Sequence, residues 1–116
     1  MTPETIRTCI QAAVRACTAK DARAFASLFV PEGEMVLGND RIIGRDEITR
    51  VSAKYLATCE AIAIEIRRIL VEGDCAVVEW TWQHTKSGNG QRKSADNAII
   101  IDFKDGAIAH WREYRS

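Results

Sequence analysis

At Cys59 the apolar periodicity of this chain changes, and it does not change back. Before that point apolar residues recur every three or four positions; from Ile62 onward they alternate every second position. Helices first and strands after is an α+β pattern, in which helices cover one face of a mainly antiparallel sheet. The 116 residues suit a single domain spanning 1–116. A 47% hydrophobic content lets a chain of this size build a core without staples.

Thr2-Pro3-Glu4 reads as a helix start, with a hydroxyl cap, a proline in the first turn and an early acid. Ile6, Ile10, Ala13, Val14 and Cys17 then form one apolar stripe. Asp21 caps a second helix that turns Ala22, Phe25, Leu28 and Phe29 inward and ends at Pro31 and Gly33. Glu34 to Leu37 reads as a short strand, followed by a turn at Gly38-Asn39-Asp40. A third helix begins at Gly44-Arg45-Asp46-Glu47, with Ile48, Val51, Tyr55, Leu56 and Cys59 on its inner stripe.

Ile62, Ile64 and Ile66 make a half-buried strand whose apolar parity shifts to Ile69 and Val71, which predicts a β-bulge at Arg67-Arg68. Glu72-Gly73-Asp74 is a turn into a long strand, Cys75 to Thr85. One face of that strand carries Ala76, Val78, Trp80, Trp82 and His84, and the other Cys75, Val77, Glu79, Thr81 and Gln83. Ser87-Gly88-Asn89-Gly90 and Asp105-Gly106 read as hairpin turns. They bracket a strand with Ala95, Asn97, Ile99, Ile101 and Phe103 on one side. The last strand places Ala107, Ala109, Trp111 and Glu113 together. A sheet that carries a bulge and is covered by three helices tends to curl, so the expected form is a helix-lined cone with a cavity at its open end.

Sixteen basic and sixteen acidic side chains cancel, which argues against nucleic acid or an acidic membrane as partner. No apolar run approaches the ~20 residues of a membrane span, and MTPETIRTCI lacks a signal-peptide apolar core, so a cytoplasmic location is expected. Cys9, Cys17, Cys59 and Cys75 have neither C-x-x-C spacing nor histidines at ligand spacing and read as free thiols. No phosphate-binding loop, nucleophile elbow or metal motif is present, so no metal or cofactor is expected.

The candidate site residues lie on the strands. Trp80 and Trp82 face inward together, as core fillers or as a pocket wall with polar tips. His84 follows them at the strand end, as a general acid or base or as a solvated side chain. Glu113 lies beyond Trp111 on a face otherwise made of small residues. A carboxylate facing such a space needs a role or a partner, for which Arg112 and Arg115 are candidates. Asn97 can orient a ligand carbonyl or satisfy a local backbone group.

Three stretches resemble the SnoaL-like branch of the nuclear-transport-factor-2-like superfamily. They are Ala19-Lys20-Asp21 through Phe29 to Gly33, Gly44-Arg45-Asp46-Glu47-Ile48, and Phe103-Lys104-Asp105-Gly106 to Trp111-Arg112-Glu113-Tyr114. The resemblance implies a conical α+β barrel with a deep hydrophobic pocket, in a family of cyclases, isomerases, hydrolases and dehydratases in which dimers are common. The proton-transferring groups of the isomerases fall at Ala13, near Leu37 and at Ile99, none of which moves a proton. Trp111 and Glu113 match half of the epoxide-hydrolase machinery, whose Arg-x-Asp pair would fall at Trp80 and Trp82. His84-Thr85 is similar to the strand end of SnoaL-type cyclases, with Asn97 or Asp96 near the position of their aspartate.

The reading that results is a module holding a small apolar, carbonyl-bearing or polycyclic molecule between Tyr55, Trp80, Trp82, Asn97 and Trp111. The alternatives are a cofactor-free acid/base enzyme using His84 and Glu113, and a structural dimer with a vestigial pocket. A homodimer through the Cys75/Val77/Glu79/Thr81/Gln83 face is expected.

Overall fold

In the computed structural model, which describes residues 1–115, the first two helices begin where a side chain can cap them. Thr2 Oγ1 accepts the Thr5 N–H at 3.1 Å ahead of α1 (Pro3–Thr18). Asp21 Oδ1 accepts the Ala24 N–H at 3.0 Å ahead of α2 (Ala22–Ala26). The third, α3 (Arg45–Leu56), has no side-chain cap, but Asp46 and Glu47 lie in its first turn, at the positive end of the helix dipole.

The strands are β1 (Phe29–Leu37), β2 (Asp40–Ile43), β3 (Cys59–Glu72), β4 (Cys75–Lys86), β5 (Arg92–Lys104) and β6 (Ala107–Arg115). They form one sheet in the order β2-β1-β6-β5-β4-β3, antiparallel except where β1 runs parallel to β6. The sheet curls around the helices but leaves β2 and β3 as free edges, so the cone is open and not a closed barrel. α1 packs on β3, and α3 packs on β1 and β2. Ile6, Ile10 and Ala13 from α1 meet Val78, Ile99, Ile101 and Trp111 in the core between the layers.

Three local expectations are corrected. The second helix stops at Ala26, and Phe29, fully buried, opens β1 instead. Pro31 and Gly33 fall inside that strand, where the register against β6 jumps between Phe29 and Glu34. An irregular stretch tolerates a residue with no N–H. Gly33 is a packing requirement, since a Cβ there would stand 3.0 Å from the Phe29 ring. Cys59 begins β3 and does not end α3, and the four residues of β2 are too few to show an alternation.

Bulges decide which side chains reach the interior. The predicted shift at Arg67-Arg68 is present, between Ile66 and Arg68 on β3, with a second between Glu60 and Ala63 where Ala61 takes φ +49°. A third separates the β5–β6 pairs Asp102–His110 and Phe103–Ile108, leaving Ala109 as the extra residue. It overturns the face of small residues expected on β6. Ile108 is fully buried opposite Phe103, and Trp111 is buried opposite Ile101. Ile108→Ala should therefore cost about 2–5 kcal/mol in chemical denaturation. A loss below about 0.5 kcal/mol, as at a surface position, would contradict this register.

Candidate functional site

Antiparallel pairing assembles the interior of the cone row by row. Trp80 stands opposite Asn97, which stands opposite Arg115; Ile99 stands opposite Glu113, and Ile101 opposite Trp111. The inner face of β4 thus delivers Trp80 and Trp82, while the β6 bulge delivers Trp111 and Glu113. Helix α3 adds Val51, Ser52, Tyr55 and Leu56 from above, and β1 adds Met35 and Leu37. These groups surround a cavity of about 230 Å³ that Phe25, Cys17 and Arg115 complete. An aliphatic-lined cavity of ~150 Å³ holds a benzene molecule, so this one has room for a bicyclic ring.

The aromatic wall is continuous. Trp80 lies 5.8 Å from Trp111 and 6.4 Å from Trp82, ring centre to ring centre, and Trp82 lies 6.0 Å from Tyr55. Phe25 packs edge-on to Trp111 at 5.2 Å.

Glu113 is the acid of this wall, with its side chain only 15% exposed. Trp111 Nε1–H donates to Oε1 at 3.1 Å, and Asn97 Nδ2–H donates to Oε2 at 3.1 Å. Arg115 stands at the limit of an ion pair, 3.9 Å away. Burial pushes the Glu113 pKa up, against the opposing pull of the Trp111 hydrogen bond and the Arg115 charge. Asn97 suits either protonation state, since an amide serves a carboxylate through Nδ2 and a carboxylic acid through Oδ1. Among the described residues two buried side-chain polar atoms have no partner: the indole N–H of Trp80 and Asn97 Oδ1.

His84 does not line the same cavity. It faces an adjoining cleft of about 400 Å³ that shares Tyr55, Trp82 and Arg115 with the first. Its Nδ1 accepts the Trp82 indole N–H at 3.0 Å, which leaves the proton of a neutral ring on Nε2. Burial, then the nearby Arg115, Lys93 and Lys86 charges, lower its pKa, so the ring is neutral at pH 7. Asn97 lines this second cleft as well as bonding Glu113. His110 lies on the outer face of the sheet, 2.9 Å from Glu34 and 3.7 Å from Asp102.

The thiol on the cavity wall is a poor nucleophile. All four cysteines are free, and burial pushes Cys17, on the cavity wall, up to about 12, with Glu113 adding to the shift. Among the described residues no group of three or more His, Cys, Asp or Glu side chains is placed to hold a metal ion. No helix among them is long and apolar enough to cross a membrane. Ser52 and Met35 are lining residues that the sequence did not single out, while Val51 and Arg115 were named there without their place on the cavity wall. The register of Arg115 against Asn97 depends on the β6 bulge, and a helical stripe does not say which of its members border empty space.

The raised pKa of Glu113 has a consequence for stability. Its favourable contribution is complete below the unfolded-state carboxyl value and is lost as pH rises through the higher folded-state value. The stability of Glu113→Gln relative to wild type should therefore increase from pH 4 toward neutrality in denaturant titrations, whatever its offset in acid. A difference that is flat or falls over that range would contradict the assignment.

A family model described as a SnoaL-like domain matches residues 10–111. No curated protein sequence matches the chain. Among solved structures, a protein with a ketosteroid isomerase-like fold from Catenulispora acidiphila, in complex with trimethylamine, has a TM-score of 0.85 at 22% identity, over 100% of this chain and 88% of that one. An NTF-2 like protein of unknown function from Burkholderia xenovorans has a TM-score of 0.79 at 25% identity, covering 97% and 84% of the two chains. An LEH-like epoxide hydrolase from M. tuberculosis has a TM-score of 0.81 at 21% identity, covering 99% and 84%. These likenesses establish the fold. With the family match spanning most of its length, the chain belongs to the SnoaL-like domain family.

Proposed function

We propose that this protein binds a small, mostly apolar molecule bearing a carbonyl or similar acceptor, held between Trp80, Trp82, Trp111 and Tyr55. The observation that carries this reading is the cavity of about 230 Å³ walled by these four aromatic residues, with the Glu113 carboxyl on its lining. Glu113 supplies a polar contact, as acceptor when ionised and as donor when protonated. The trimethylamine held by the Catenulispora protein is also a small molecule bound by a protein of this fold.

A second reading, in which Glu113 also moves a proton on the bound molecule, is favoured by its upward-shifted pKa. The separate cleft and neutral state of His84 give that reading one proton carrier in the cavity, without a paired imidazole.

The test is tryptophan-fluorescence titration with a panel of apolar carbonyl compounds such as 2-acetylnaphthalene, alongside native mass spectrometry for a co-purified molecule. Saturable quenching, weakened at least about tenfold in Trp82→Ala through loss of its buried contact area, is the expected result. Conversion of a bound compound that is lost in Glu113→Gln would establish the enzymatic reading. Silence across the panel with an empty native mass spectrum would move the weight to a structural role.

A further inference from the structure

The chain is electrically neutral overall, yet the cleft that adjoins the cavity is not. The cleft beside Trp82 and Tyr55 is bordered by Lys86, Lys93, Arg115 and His84, with no acidic side chain in its lining among the described residues. The strand register explains why. His84 and Lys93 stand opposite each other on the inner side of the β4–β5 pair. The nearby acids Glu60 and Asp96 stand opposite Thr85 and Thr81, on the other face of the sheet. Asp96 is further engaged there, accepting the Thr81 hydroxyl at 2.8 Å. Thr58 borders the same cleft, its hydroxyl donating to Tyr55 O at 2.6 Å. Glu113, 3.9 Å from Arg115, lies deeper, on the cavity wall.

Resting on the reading of the cavity as a binding site, we propose that cavity and cleft form one amphipathic site. Its ligand is an anion: an apolar body among the tryptophans, with a carboxylate or similar group at its solvent-facing end between Lys86, Lys93 and Arg115. Tyr55, Trp82 and Arg115 belong to both spaces and join them. A cationic ligand would meet the buried carboxyl only after passing three like charges. An anion meets opposite charge at the point where its charged end stops.

Three probes with one ring system separate the possibilities: 2-naphthylacetate, 2-naphthylacetamide and 2-naphthylmethylamine, measured by calorimetry at low salt. The acetate should bind at least about tenfold more tightly than the acetamide, with the difference shrinking as salt is added. Lys86 and Lys93 are both exposed, so the double variant Lys86→Gln/Lys93→Gln keeps the core intact. It should bring the acetate down to the affinity of the acetamide. Equal or tighter binding of the acetamide or the amine, or an acetate advantage indifferent to the double substitution, overturns the proposal while leaving the apolar site standing. Binding of none of the three overturns both.

Discussion

A carboxyl group held inside an aromatic wall is the arrangement on which the rest of this site turns. Desolvating Glu113 is unfavourable, and the surroundings offset it with two neutral donors, from Trp111 and Asn97, and a cation at the edge of contact, Arg115. The register that sets Glu113 opposite Ile99 and Arg115 opposite Asn97 follows the extra residue at Ala109. That bulge lets Ile108 stay in the core while Trp111 and Glu113 still face inward two positions apart. Geometry on the last strand therefore decides electrostatics in the cavity.

Family membership and the interior chemistry pull apart. Residues where the family resemblance implies proton-transferring groups are Ala13 and Ile99, both fully buried in the core, and Leu37 on the cavity wall. The cone is kept and its interior is largely apolar, with its acid, Glu113, on the last strand. The inner face of β4 carries two tryptophans, Trp80 and Trp82. It spends space on flat apolar surface and leaves one indole N–H unanswered.

Much of the architecture was legible because its signals are local. The change of period at Cys59, the caps at Thr2 and Asp21 and the parity shift at Arg67-Arg68 all depend on a few neighbouring residues. The inward face shared by Trp80, Trp82 and His84 followed from alternation alone. The failures lie where long-range pairing overrides local pattern. Phe29 continues a helical stripe in sequence, but the parallel partner β6 recruits it into a strand, with the Ile108 N–H bonded to Leu28 O at 2.8 Å. Ile108 and Ala109 exchange faces because of a bulge that only the partner strand reveals. The division between cavity and cleft, which parts His84 from Glu113, depends on where Tyr55 and Trp82 sit across two layers, and no spacing encodes that.

The central claim is that the tryptophan-walled cavity is a place for a ligand. The most direct measurement is a crystal structure of the protein soaked with 2-acetylnaphthalene. The account predicts the rings between Trp80, Trp82 and Trp111, with the ketone oxygen within roughly 2.7–3.2 Å of a protonated Glu113. A cavity left empty at saturating ligand, or the compound bound only on the outer face of the sheet, would contradict it.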